Sequence, residues 1–320
     1  MKKFLSVILT LTMFVLSSVS AVACNKDDNI IPPDPDEYEK YREMSLVKPV
    51  GIGGDYVALN ADMSAVTMFD TANKNEDKVA WLGYVSVGTA EMNMGIGKGG
   101  MSLDQSVFTH KIIDNSDNGY FYATTSSVTS DTNSKIIELI NVCFVKSYYR
   151  DNATNTYYFV EGDSGIDFKD DGLVDADTFK SVKTYSSEQA LVDDGNANNP
   201  FVYGVYYVTD ETVTSQEKTH NEQEGYWTVK LTLDVKTATK DYVKVLEQMM
   251  KVKCVVDFKY CNIEYQIWDN GLLKESSIEE SYDMKLLNTI NGTITNASTT
   301  YYSYDTDKFD VEDYTNRFGF

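Results

Sequence analysis

Histidine, cysteine and basic residues are all in short supply in this chain. Its 320 residues include 2 histidines and 4 cysteines. Zinc sites are built mainly from clustered Cys and His side chains, so we expect no metal site. Lysine and arginine number 28 against 49 acidic residues, which gives a net charge of −21. A chain this acidic repels nucleic acid and anionic surfaces, and we therefore expect no nucleic-acid partner.

The cysteines fall into two groups. Cys24 lies near the N-terminus, whereas Cys143, Cys254 and Cys261 lie among apolar and aromatic residues typical of strands. Three cysteines allow at most one disulfide within the chain and leave at least one thiol free. We predict buried structural cysteines rather than a metal site, and their disulfide state stays open.

The first residues have the features of an export signal. Lys2 and Lys3 form a short basic segment, and residues 4–16 (FLSVILTLTMFVL) form a mostly apolar stretch. That stretch is shorter than the ~20 residues of a membrane-spanning helix, and no later apolar run approaches such a length. The pattern predicts a signal peptide over residues 1–23.

The end of this signal has a distinctive order of residues. Ala21, Val22 and Ala23 directly precede Cys24. This order resembles a bacterial lipobox, which implies that Cys24 is acylated with diacylglycerol and becomes the first residue of the mature protein. A diacyl anchor holds a protein stably on a membrane. The alternative is ordinary secretion, in which cleavage after Ala23 leaves Cys24 as a free thiol.

Residues 24–45 predict a tether. Pro32, Pro33 and Pro35 stand among many acidic side chains, and such a segment has too little apolar surface to fold. The sequence therefore predicts an exported protein, lipid-anchored to the bacterial cell membrane or outer surface, with a β-rich domain over residues 46–320. We expect a monomer with no cofactor besides the covalent diacylglycerol on Cys24.

The domain is rich in strand-forming segments. Aromatic and β-branched runs predict strands at residues 119–128, 135–149, 156–160 and 201–208. Asp269-Asn270-Gly271 and Asn291-Gly292 each lie between two such segments and predict hairpin turns. We expect an α+β protein that is mainly an antiparallel sheet.

The most regular pattern lies within residues 225–304. Apolar and polar residues alternate in GYWTVKLTLDV, which predicts a half-buried strand. The period then changes, and apolar residues spaced as on one side of a helix predict a helix over residues 238–250. The side chains predicted to line an apolar cavity, or to form a filled core, are Trp227, Val229, Leu231, Leu233, Tyr242, Leu246, Met249, Ile263, Tyr265 and Ile267.

A resemblance covers about the last third of the chain. The segments NPFVYGVYYVTDETV, YWTVKLTLDVKTATKDYVKVLEQM and FKYCNIEYQIWDNGLLKES resemble surface lipoproteins of gut-type anaerobic bacteria. The C-terminal half of those proteins is similar to the LolA and LppX type of lipoprotein carrier. The resemblance implies a curved antiparallel half-barrel over residues 196–305, with a helix on its concave face and an apolar cavity. Residues 46–195 either complete this sheet or form an N-terminal lobe.

The functional expectation follows from that resemblance. No catalytic residues belong to the carrier family, so the resemblance implies a non-catalytic protein that binds or carries an apolar, lipid-like ligand. The alternative is a cell-surface glycan-binding or adhesion module. The chain has 23 tyrosines, and exposed aromatic rings stack on sugars or on partner proteins.

Three apparent motifs do not meet the requirements of their chemistry. Residues 162–165 (GDSG) resemble the nucleophile segment of a serine protease, but Ile166 replaces the next glycine. The glycines of residues 95–100 lack the Ser or Thr that follows lysine in a phosphate-binding loop. The aspartates of residues 167–177 do not have the spacing of a calcium loop. We expect loops at all three places.

Overall fold

A computed structural model gives the fold of part of the chain. It describes residues 42–52, 55–76, 78–79, 81–96, 99–114, 120–128, 142–151, 156–162, 179–187, 190, 206–240, 242–243, 254–286 and 290–305. The predicted signal peptide and most of the predicted tether lie outside these residues. The protease-like and calcium-like segments also lie outside them, except that Gly162 ends a strand.

Eleven strands and two helices make up the described structure. The strands are β1 (Trp81–Ile96), β2 (Gly99–Asp114), β3 (Tyr120–Val128), β4 (Val142–Asp151), β5 (Thr156–Gly162), β6 (Phe179–Tyr185), β7 (Val213–Asn221), β8 (Tyr226–Leu233), β9 (Cys254–Trp268), β10 (Leu273–Leu286) and β11 (Ile290–Ser303). The helices are α1 (Ala65–Glu76) and α2 (Val235–Ala238). A single helical turn over residues 42–45 precedes them.

The strands form two antiparallel sheets. The larger has seven strands in the order β2-β1-β11-β10-β9-β8-β7, and the smaller has four in the order β3-β4-β5-β6. Every neighbouring pair is antiparallel. The predicted class, α+β with a mainly antiparallel sheet and helices packed on it, is confirmed. Since β1 pairs with β11, residues 81–114 belong to the same sheet as residues 213–303.

The turn between β9 and β10 forms where the sequence predicts it. Gly271 has φ +85°, a conformation that costs glycine least. Its amide donates to the Trp268 carbonyl at 2.7 Å, and the Trp268 amide donates to the Leu272 carbonyl at 2.8 Å. The hairpin prediction at residues 269–271 is therefore confirmed.

Two other local predictions are wrong. Asn291 and Gly292 lie inside β11, where they pair with β1 on one side and β10 on the other. Strand pairing on both sides satisfies the backbone better than an isolated turn, so tertiary context overrides the local Asn-Gly preference. Residues 206–208 are irregular instead of a strand. Their path is fixed by side-chain bonds, since the Thr212 hydroxyl donates to the Tyr207 carbonyl at 2.7 Å.

Helix α1 has no counterpart among the sequence predictions. The Ser64 hydroxyl accepts a hydrogen bond from the Thr67 amide at 3.1 Å, which caps the first turn. Ala65, Met68 and Ala72 are spaced as one helical stripe and are buried. The signal was present in the sequence, but the short polar helix lacks the long apolar residues that make a stripe conspicuous.

The predicted helix over residues 238–250 is described only at its start. Helical structure begins at Val235, earlier than predicted, because the Asp234 carboxylate accepts from the Lys236 amide at 2.9 Å and caps α2. Residues 240 and 242–243 are also helical, and residues 244–250 lie outside the described part. Helix α2 packs on β9.

Candidate functional site

One face of the larger sheet carries both helices, and we call it the helix-covered face. Strand register shows which side chains share it, because residues directly opposite in antiparallel strands point to the same side. One row runs from Ile263 on β9 through Ile278 on β10 and Ser298 on β11 to Gly88 on β1. The row starts with large apolar side chains and ends with small ones.

The β8 and β9 half of this face is closed. Helix α1 packs against β7, β8 and β10. Its buried side chains form one cluster with Trp227, Val229, Leu231, Leu233, Ile263 and Ile267, and Tyr265 packs against that cluster. The Tyr265 ring lies 4.6 Å from that of Phe69, and its hydroxyl donates to the Asn73 side chain at 3.3 Å. These predicted residues therefore form core in the structure, while Leu246 and Met249 lie outside the described residues.

Small side chains occupy the middle of β11 and β1 on the helix-covered face. They belong to Ser86, Gly88, Asn296, Ser298 and Thr300, which we call the small-residue strip. Ser298 is exposed and the other four are half-buried. A Cβ added at Gly88 would lie 2.9 Å from the Ala297 carbonyl oxygen, so β1 and β11 approach closely there. The strip is therefore mostly half-buried, with Ser298 as its exposed residue.

An aromatic cluster lies on the same face beside the strip. Tyr242, which follows α2, packs edge-on against Phe258 at 5.3 Å and against Tyr282 at 6.3 Å between ring centroids. Tyr206 stacks on Tyr242 at 5.5 Å. Both Tyr242 and Tyr282 are fully buried. Tyr242, a predicted site residue, thus joins a second cluster rather than the α1 cluster.

Glu280 lies where the strip meets the aromatic cluster. Its side chain is only 4% exposed, and Oε1 accepts from the Tyr242 hydroxyl at 3.1 Å and from Asn296 Nδ2 at 2.8 Å. Glu280 Oε2, Asn296 Oδ1 and the Tyr282 hydroxyl are buried and have no hydrogen-bond partner among the described residues. Buried polar atoms are normally paired, so two unpaired acceptors and an unpaired hydroxyl at one place are unusual.

Burial changes the acidity of this carboxyl. Loss of solvent raises the pKa of Glu280 from 4.5 to about 7, against the opposing effect of the hydrogen bond from Asn296. Burial also raises the pKa of a neighbouring thiol. Cys261, directly opposite Glu280 on β9, is a free and buried cysteine, and burial raises its pKa to about 12. Such a thiol is a structural side chain and not a nucleophile.

The opposite face of the sheet carries a polar groove of about 340 Å³. Its polar lining comes from β7, β8, β9 and β10 and includes Ser215, Glu217, Lys230, Thr232, Asn262, Glu264, Ser277 and Glu279. Lys230 Nζ lies 2.8 Å from Glu264 Oε2 across the groove floor. The hydrogen bond from Lys230 to Glu264 raises the pKa of the lysine. Both partners are well exposed, so the pair stabilises the fold little.

The part of the chain that the structure describes offers little else that resembles a catalytic or metal-binding site. His220 lies 2.9 Å from Asp269 and stacks on Trp227 at 4.2 Å, which is a structural arrangement at the end of the sheet. Among the described residues no three His, Cys, Asp or Glu side chains come together as metal ligands. No described helix is both long and apolar enough to span a membrane.

Most of the tyrosines whose burial the structure describes are buried or half-buried. Tyr157, Tyr242, Tyr282 and Tyr302 are buried, whereas Tyr207 and Tyr260 are exposed. The doublet at residues 206–207 has one ring packed on Tyr242 and the other in solvent. The described residues therefore show single exposed rings rather than a row of them.

Sequence reasoning missed Glu280 and Asn296. The signal lay in β10, where Ile278, Glu280, Tyr282 and Met284 occupy alternate positions and point to one face. An acid in an otherwise apolar alternation is a candidate buried carboxyl. With 49 acidic residues in the chain, this position was distinguishable only once the strand and its orientation were known.

No protein-family model and no curated protein matches this chain. Among solved structures, a LolA superfamily protein from Nitrosomonas europaea aligns at TM-score 0.23 and 11% identity, covering 79% of this chain and 99% of that one. A beta-barrel-like protein of a domain of unknown function from Brucella abortus aligns at TM-score 0.21 and 10% identity, covering 69% and 98%. An outer membrane channel from Pseudomonas putida aligns at TM-score 0.22 and 11% identity, covering 80% and 99%. These likenesses are weak, and TM-scores this low do not establish a shared fold.

Proposed function

We propose that this protein is an exported, lipid-anchored and non-catalytic protein that binds a lipid-like ligand on the small-residue strip. The observation that carries the proposal is the pair of unpaired acceptors, Glu280 Oε2 and Asn296 Oδ1, at the end of a half-buried strip of small residues between two packed clusters. A buried acceptor without a donor costs free energy. A ligand whose head displaces the side chains over these two atoms and donates a hydrogen bond to each removes that cost.

The surroundings define the ligand's chemistry. Large apolar side chains flank the strip, with Ile278 and Tyr302 on the α1 side and Tyr282 in the aromatic cluster. Small side chains on the floor leave room for a chain or ring to lie along β11 and β1. The polar end holds acceptors and therefore favours a hydroxyl or an amine. We infer an amphipathic ligand with an apolar body and a donor head.

The anchor is supported by the sequence. A short basic segment, an apolar stretch and small residues precede Cys24, and an acidic, proline-containing tether follows it. Diacylglycerol on Cys24 would hold the domain at a membrane, where lipid-like molecules are concentrated. The proposed location and the proposed ligand therefore agree.

Filling the strip is expected to abolish binding. Ser298→Phe places a bulky ring on the strip floor, and we expect at least a tenfold loss in affinity for a fluorescent long-chain fatty alcohol. A tenfold loss corresponds to about 1.4 kcal/mol. Ala297→Phe is the matched control, because Ala297 is the exposed neighbour that points to the other face. Equal affinity in the wild type and both variants would rule out the strip as the site.

The polar groove favours a second candidate, a glycan-binding module. Hydroxyl, amide and carboxylate groups from four strands line it, and sugars are bound by such groups. In that case an oligosaccharide would bind over β7 to β10, and its binding would survive the Ser298 substitution on the other face. Ser298→Phe therefore separates the two functions.

A further inference from the structure

Exposed apolar side chains are concentrated in one short segment. Seven large hydrophobic side chains are exposed among the described residues, and four of them, Leu46, Val47, Val50 and Val57, fall within residues 46–57. Val50 is the most exposed, at 86%. Single exposed apolar residues are common, but a cluster indicates an interaction surface.

This segment is fixed to one end of the larger sheet. The Asn270 side chain donates to the Pro49 carbonyl at 3.2 Å, and the Leu59 amide donates to the Asp269 carbonyl at 2.9 Å. The β7–β8 turn lies at the same end, because the Asp269 amide donates to the Gly225 carbonyl at 3.0 Å. Residues 46–52, residues 55–57 and these two turns therefore form one end of the domain, which we call the turn end.

The turn end is also where the tether joins the domain. Residues 25–41 separate Cys24 from the helical turn at residues 42–45. Fully extended, such a tether would span roughly 60 Å, which is long enough to permit many orientations of the domain. The tether alone therefore does not orient the domain, whereas an apolar surface at its point of attachment does.

We propose that the turn end faces the membrane and that Leu46, Val47, Val50 and Val57 contact the lipid bilayer. The inference rests on the proposed lipid anchor and adds an orientation to it. Lipid is the proposed occupant of this surface because the tether that joins the domain here carries Cys24, whose proposed acylation keeps a bilayer within reach of this end. The acidic chain, with a net charge of −21, favours a zwitterionic over an anionic surface.

Tryptophan quenching tests the orientation. Full-length acylated protein is placed in phosphatidylcholine vesicles whose acyl chains carry bromine, and Val50→Trp is compared with Val255→Trp. Val255 is 66% exposed and lies at the start of β9, the strand that reaches the turn end at Trp268. At about 3.3 Å per residue along β9, Val255 lies roughly 45 Å from Trp268 and therefore from the turn end. We expect bromine quenching above the wild-type level for Val50→Trp only.

The outcomes distinguish the two proposals. Protein that does not float with the vesicles contradicts the lipid anchor, and the orientation with it. Protein that floats while the two variants are quenched equally, or Val255→Trp more strongly, overturns the orientation and leaves the anchor standing. Thermal unfolding of each variant confirms that it is folded before its quenching is compared.

Discussion

Replacing Glu280 by glutamine is expected to stabilise the protein above about pH 7 and to have little effect near pH 4.5. In the folded protein the pKa of Glu280 is raised from 4.5 to about 7 by burial. Between these values the folded protein keeps a proton that the unfolded chain releases. Stability of the wild type therefore falls as the pH rises through this window.

The size of the change in the free energy of unfolding follows from the pKa shift of Glu280. A difference of one pKa unit corresponds to about 1.4 kcal/mol, so the wild type is expected to lose roughly 3 kcal/mol between pH 4.5 and pH 8 through this group. Glutamine carries no charge at any pH. Its oxygen can still accept from Tyr242 and Asn296, as Glu280 Oε1 does in the wild type.

Urea unfolding at a series of pH values measures this prediction. The quantity to compare is the free energy of unfolding of Glu280→Gln minus that of the wild type, because other carboxylates titrate equally in both proteins. Glu279→Gln is the control, since Glu279 is the exposed neighbour on the opposite face. A difference that stays constant from pH 4.5 to pH 8, or that favours the wild type at high pH, contradicts the account of a buried carboxyl.

Gly271→Ala is expected to destabilise the fold severely. Gly271 has φ +85°, and an added Cβ would overlap the Val57 carbonyl oxygen and lie 2.5 Å from Asn75 Nδ2. Asn75 is fully buried and ties three elements together, donating to the carbonyls of Val57 and Gly271 and accepting from the Val57 amide. Displacing it breaks bonds inside the core, so we expect a loss of roughly 3 kcal/mol or more.

Gly51→Ala is the matched control for this substitution. Gly51 has φ +71°, but an added Cβ meets no atom within 4 Å. It should therefore cost only the backbone term, about 1 to 2 kcal/mol. Urea unfolding of the two variants gives the comparison. Equal losses would mean that the close packing of Val57, Asn75 and the β9–β10 turn is not as the structure shows it.

The sequence predicts the elements whose signals are local. The alternation of β8 gives its buried face directly, with Trp227, Val229, Leu231 and Leu233 inside. The β9–β10 turn follows from Asn270-Gly271 because its glycine needs positive φ. Asn291-Gly292 carries the same local signal but lies within a strand, since pairing on both sides decides its conformation. The residues of an Asn-Gly pair alone do not show whether it forms a turn or is held in a strand by its neighbours in the sheet.

The candidate site depends on contacts that are distant in the sequence. β1 pairs with β11 across almost the whole domain, so Ser86 and Thr300 become neighbours only through the fold. The face on which Glu280 lies depends on the register of β9, β10 and β11. A shift of one residue would expose it. The predicted apolar residues that the structure describes pack in the core or against it, whereas the site proposed from the structure consists of residues that no periodicity singled out.

The central claim is that the small-residue strip holds a lipid-like ligand with a donor head. Native mass spectrometry of the mature protein from a lipid-containing host, followed by organic extraction and lipid analysis, tests it most directly. We expect one bound amphipathic molecule per chain in the wild type and in Ala297→Phe, and its loss in Ser298→Phe. A folded wild-type protein with no retained molecule, or a ligand that stays bound to Ser298→Phe, would contradict the claim.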